Sequence, residues 1–141
     1  MDDRFASLPK AEFAFPGPLR DQLVAAILAG EKTTTTGTLR EYEVEGEQLP
    51  RPGDRSVVVD SADRPVGVIE TVAVRVIPVR DVDLQHALGE GEGYGSVADW
   101  RREHERFWHS DQMREALGDP RFTIDDDTQV VAQRFRLVER L

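Results

Sequence analysis

The sequence predicts an α+β domain in which mostly antiparallel strands follow one helix and admit a longer helix before the last strand. Three observations lead there. β-Branched runs at 66–79 and 128–138 have strand character, an apolar stripe recurs at helical spacing after Pro18, and a serine cap precedes an aromatic-rich face from Val97. At 141 residues one domain accounts for the chain, with residues 1–17 an arm packed onto a domain proper at 18–141.

In the arm, Phe5, Leu8, Phe13 and Phe15 supply apolar contacts before the turn Pro16-Gly17-Pro18. Leu19, Leu23, Val24, Ile27 and Leu28 then form one stripe of a helix that starts on Pro18 and stops at Gly30. The threonines at 33–36 favour an extended chain. Residues 41–54 predict a loop, with a short strand or hairpin around Tyr42–Val44. Arg55–Asp60 and Val66–Val79 predict strands joined as a hairpin by the turn at 61–65. A short helix over Asp81–Leu88 opens into four glycines within residues 89–95. Ser96 and Asp99 resemble a capping box for a helix carrying Trp100, His104, Phe107 and Trp108, and Thr128–Val138 is the closing strand.

The formal charge of -9 disfavours a general polyanion binder, because long nucleic acids are held by lysines and arginines that neutralise phosphates. A short single-stranded RNA or a nucleoside-like molecule remains compatible if Lys32, Arg101, Arg102 and Arg106 converge; otherwise these arginines pair with their helix neighbours. Cysteine is absent, which removes disulfides, thiolate metal sites and a cysteine nucleophile. His104 and His109 are five apart and 125–127 lacks calcium-loop spacing, so neither a metal nor a cofactor is expected. No run approaches the roughly 18–20 apolar residues of a membrane span, and the start lacks the layout of a secretory signal, pointing to a cytoplasmic protein.

Two segments carry residues that packing does not require. Lys32 follows a helix end, either complementing the helix dipole or facing a ligand, and Thr33–Thr36 follow it with four hydroxyls. Glu90 and Glu92, spaced by glycines, suit donor groups or proton transfer rather than phosphate. Counting by twos places Glu70 on the more apolar face of its strand, where Lys32 is its natural partner unless a bulge turns it to water. Tyr94 and Trp100 are candidates to stack on a base or to pack, and His104 is either structural or an acid-base group.

The ordered motifs Gly30-x-Lys32-x-x-Thr35, Tyr42 with Gly46-Glu47-x-Leu49-Pro50-x-x-Gly53, Val68-Ile69-Glu70-Thr71, Glu90-Gly91-Glu92-Gly93, Ser96 with Trp100-Arg101-x-x-His104-x-x-Phe107, and Arg134-Phe135 resemble the ASCH domain family of the PUA-like superfamily. The resemblance implies a small β-barrel surrounded by helices, with a cleft between the lysine segment and the acidic loop. It implies binding of RNA or a nucleoside-like ligand. The alternatives are a hydrolase, either an amidohydrolase on an N4-acylated cytidine or a metal-independent ribonuclease, and a protein-interaction module. The amidohydrolase relatives' trio falls on Lys32, Thr35 and Glu92, with Glu90 as the alternative carboxylate. Two departures stand out: Gly37 occupies a position where those relatives carry an arginine, leaving Arg40 to reach the same space, and Tyr94 replaces a frequent aspartate.

Overall fold

A computed structural model describes residues 5–141; the first four residues of the arm lie outside the described residues. The chain runs β1 (Lys10–Ala11), α1 (Pro18–Leu28), β2 (Thr34–Thr38), α2 (Leu39–Glu45), β3 (Arg55–Val59), β4 (Pro65–Pro78), α3 (Leu84–Gly89), α4 (Val97–Trp108), α5 (Asp111–Leu117) and β5 (Gln129–Arg140). The sheet order is β1-β3-β4-β5-β2, antiparallel except where β1 joins β3.

This is the expected mixed fold, but the five strands do not close into a barrel. The ends of the sheet are the two-residue β1 and β2, and what faces the outer edge of β2 is helix and side chain, not a strand. One apolar cluster joins α1 to Val58, Ile69 and Phe135; another places Trp100, Trp108, Met113, Leu117 and Val130 under α3–α5. The arm is drawn in by Phe5 and Phe13, both buried. Among the described residues no helix is long and apolar enough to cross a membrane.

Three expectations change. Residues 42–44 are helical: the Thr38 hydroxyl accepts the Glu41 amide, Glu41 returns a carboxylate to the Thr38 amide, and Gly46 (φ 66°) ends the turn. A second late helix, α5, forms because Ser110 caps Met113 and Gly118 (φ 66°) stops it. Glu70 shares the face of Val68, but the apolar cluster there, Phe5, Val57, Val59 and Val68, stops short of it; the register shifts fall at Val138 of β5 and at Val72, neither of them between Val68 and Glu70 on β4. Glu70 instead sits at the surface between Arg55 and Arg136, each 3.1 Å away, and is not the partner of Lys32.

Candidate functional site

The end of α1 sets the position of Lys32. At Gly30 (φ 79°) the chain turns back, and the amides of Glu31 and Lys32 both donate to the Ala26 carbonyl (2.9 and 3.1 Å). The glycine-spaced loop then lies directly on this segment. A side chain at Gly89 would meet Thr34 at 2.7 Å, and one at Gly91 (φ 73°) would meet the Glu31 carbonyl at 2.7 Å. Both glycines are therefore fixed by close approach, which lets Glu90 reach Lys32.

Lys32 and Glu90 are 2% exposed each. The ammonium donates to the Thr34 carbonyl (2.7 Å) and lies 3.4 Å from Glu90 Oε1. Glu90 Oε2 accepts from the Thr36 hydroxyl (3.1 Å), the Trp100 indole N–H and His104 Nε2 (3.1 Å). Such a pair survives burial only because nearly every lone pair has a donor. Burial pushes the Glu90 carboxyl up, but the His104 and Lys32 charges and the donated hydrogen bonds outweigh it and hold it at about 2.

His104 Nδ1 faces the Trp100 carbonyl (2.9 Å), which can only accept, while Nε2 faces a carboxylate. Both ring nitrogens therefore donate, and the ring is an imidazolium. Burial lowers its pKa, whereas the hydrogen bond and charge of Glu90 raise it further than burial lowers it. The ring also stacks on Trp100 at 4.3 Å between centroids. On the other side, the Thr36 hydroxyl gives its one proton to Glu90, so at 2.7 Å it accepts from His86 Nε2. Burial pushes His86 down, consistent with a neutral donor ring.

This cluster floors a cleft of about 1120 Å³ whose lining includes Lys32, Thr35, Thr36, Glu90, Glu92, Tyr94 and His104. Glu92 accepts from the Tyr94 hydroxyl at 2.8 Å. The sheet contributes Thr35 and Gln133, which are paired in register, with Gln133 donating to Thr71 (2.8 Å). More carboxylates, Glu41, Glu45, Glu47 and Glu103, line the same space. Glu90, Glu92 and His104 each offer an atom within 4.8 Å of the others. A metal ion there would first have to displace the His104–Glu90 hydrogen bond, because His104 presents protons where a metal needs lone pairs.

Lys32, Thr35, Glu90, Glu92, Tyr94, Trp100 and His104 are thus brought together, Trp100 as a fully buried support. Glu70, Arg40 and Arg101 are not among the lining residues. Arg40 is exposed 3.9 Å from Glu43, and Arg101 is held by Glu105 (2.8 Å) and Asp126 (2.6 Å). Sequence reasoning missed His86, Gln133 and Thr71, and left Thr36 undistinguished among the four threonines. Period-two counting on β2 carries the signal for Thr36, since it shares a face with the buried Thr34.

The chain belongs to the ASCH domain family, whose model matches residues 12–139. It is similar to the crystal structure of a protein from Enterococcus faecalis V583, at 27% identity and a TM-score of 0.77 over 94% of this chain and 77% of that one. It is also similar to an ASCH domain from Lactobacillus crispatus JV V101, at 25% identity and a TM-score of 0.78 over 96% and 82%. No curated protein matches the sequence.

Proposed function

We propose that the chain binds a nucleoside-like ligand, free or as a residue of a short single-stranded RNA, in the cleft above Lys32 and Glu90. The observation that carries this is a buried, fully hydrogen-bonded ion cluster opening onto a cleft rimmed by carboxylates and aromatic rings. Glu90 is already saturated with donors, so Glu92, bonded only to Tyr94 among the described residues, is the carboxylate available to a ligand. Carboxylates at 41, 45, 47, 92 and 103 favour ligand N–H and O–H groups and repel phosphate. Tyr94 offers a ring for base stacking. Calorimetric titration with cytidine, adenosine, a short single-stranded RNA and an RNA duplex tests this: at least one of the two nucleosides binds and the duplex does not. Binding confined to duplex would overturn it.

A hydrolytic reading has one observation in its favour. Among the described residues the Thr35 hydroxyl has no hydrogen-bond partner, and it shares the cleft with Lys32 and Glu92. In that reading Lys32, committed as a donor, polarises a carbonyl, and Glu92 takes the proton from Thr35 or water. Incubation with N4-acetylcytidine checks it: cytidine and acetate appear with the native protein and not with Thr35→Val or Glu92→Gln. An intact substrate removes that reaction.

A further inference from the structure

β2 ends the sheet, and its register fixes which backbone groups face away from it. The Phe135 amide donates to the Thr33 carbonyl (2.9 Å), and Thr34–Thr38 continue opposite Arg134–Val130. In an antiparallel ladder hydrogen-bonded pairs alternate, so Thr35 and Gly37 turn their backbone groups to β5 while Thr34, Thr36 and Thr38 turn theirs outward. The Thr34 carbonyl is taken by Lys32 Nζ (2.7 Å) and the Thr38 amide by Glu41 Oε2 (2.6 Å). Among the described residues the Thr36 N–H and C=O meet no partner, and of the three outward-facing residues Thr36 is the one that lines the cleft.

Resting on the nucleoside reading above, we propose that this Thr36 backbone pair is the base-reading subsite. Its N–H donates to a ring nitrogen, and its C=O accepts from the neighbouring exocyclic amino group of a cytosine- or adenine-type edge. An added peptide strand is a poorer fit, since strand addition needs several successive open pairs and the flanking Thr34 carbonyl and Thr38 amide are occupied. A planar base needs one pair. The Glu41 carboxylate stands beside the edge, 3.5 Å from where a side chain at Gly37 would begin. An amino group has a second N–H to offer such an acceptor, whereas a uracil- or guanine-type edge would bring a carbonyl oxygen towards it.

The test uses cytidine with 3-deazacytidine, adenosine with 1-deazaadenosine, and uridine. On the native protein the deaza analogue of the nucleoside that binds, which lacks the ring acceptor, should bind roughly tenfold more weakly, and uridine likewise. Saturation with the parent nucleoside should slow hydrogen exchange at the Thr36 amide. Proline is tolerated on an edge strand where its missing N–H would face outward, so Thr36→Pro is compared with Thr36→Val, which keeps the amide but also lacks the hydroxyl. The proline variant should bind roughly tenfold more weakly than the valine variant and lose the deaza penalty. If a nucleoside binds but the deaza analogue binds equally well, or the Thr36 amide exchanges unchanged, the subsite is wrong and the cleft reading stands. If no nucleoside binds the native protein, both fall. The analogue and exchange measurements need no variant and decide the question even if Thr36→Pro fails to fold.

Discussion

Glu90→Gln is the perturbation that most directly interrogates the buried cluster. Glu90 is held at about 2 against an ordinary value of 4.5. At about 1.4 kcal/mol per pKa unit, the folded state favours the ionised carboxylate by about 3 kcal/mol. Glutamine keeps the shape but points an amide donor at Lys32 or His104, both already donors, leaving the buried Lys32 ammonium without its anion and removing the charge that keeps His104 protonated. Breaking one partner of a buried pair costs about 3–5 kcal/mol, so the two routes agree. Urea denaturation at pH 7 should show a loss of about 3–5 kcal/mol with an unchanged m-value. NMR titration of the ring should show His104 falling below 6.5, because burial remains while the carboxylate that raised it is gone. A loss under about 1 kcal/mol, with His104 still titrating above 6.5, would refute the cluster.

The same linkage sets a pH window. Glu90 is depressed, so its contribution is present above 4.5 and is lost as pH falls towards 2; His104 is raised, so its contribution is present below 6.5 and is lost as pH climbs through its higher folded value. Stability measured by urea midpoints should therefore plateau between these limits and fall on both sides, and stability still rising steadily above pH 8 would contradict the His104 assignment. Gly91→Ala should destabilise more than Gly93→Ala, by about 2 kcal/mol or more against about 1, because both have positive φ but a Cβ at 91 would also strike the Glu31 carbonyl. Thermal melts of the two variants check the order. Arg40→Ala should leave nucleoside affinity unchanged by calorimetry, since Arg40 does not line the cleft.

Much of the fold was legible because its signals are local. Pro18, Gly30 and the Ser96–Asp99 spacing mark helix ends, and the alternating run from 129 marks β5. The helix over 39–45 carried a legible sign too, Thr38 three residues before Glu41, overshadowed by the glycines and prolines that follow. For Glu70 the structure takes the open alternative, exposure to water, for a non-local reason: where the apolar cover of a strand face ends depends on what packs against it, here Phe5, Val57 and Val59, and that cannot be counted from β4 alone. The two loop glutamates are alike in sequence. What separates them is the turn at Gly91 and the indole of Trp100 ten residues on, which aim Glu90 inward and leave Glu92 at the cleft. The family motif pointed to Thr35, and the strand's alternation assigns Thr36 to the buried cluster and Thr35 to the opposite side, both along one cleft. Barrel closure was not legible either, because nothing in residues 34–38 reveals that Lys32 and Glu41 occupy the outer edge of β2.

Calorimetric titration of cytidine and adenosine into the native protein and Glu92→Gln decides whether the cleft binds a nucleoside through Glu92. At least one nucleoside should give saturable heat with the native protein and bind roughly tenfold more weakly to Glu92→Gln, with urea midpoints unchanged because Glu92 is outside the buried cluster. Saturable binding that is indifferent to Glu92, or no saturable heat from either nucleoside, would contradict nucleoside binding through Glu92.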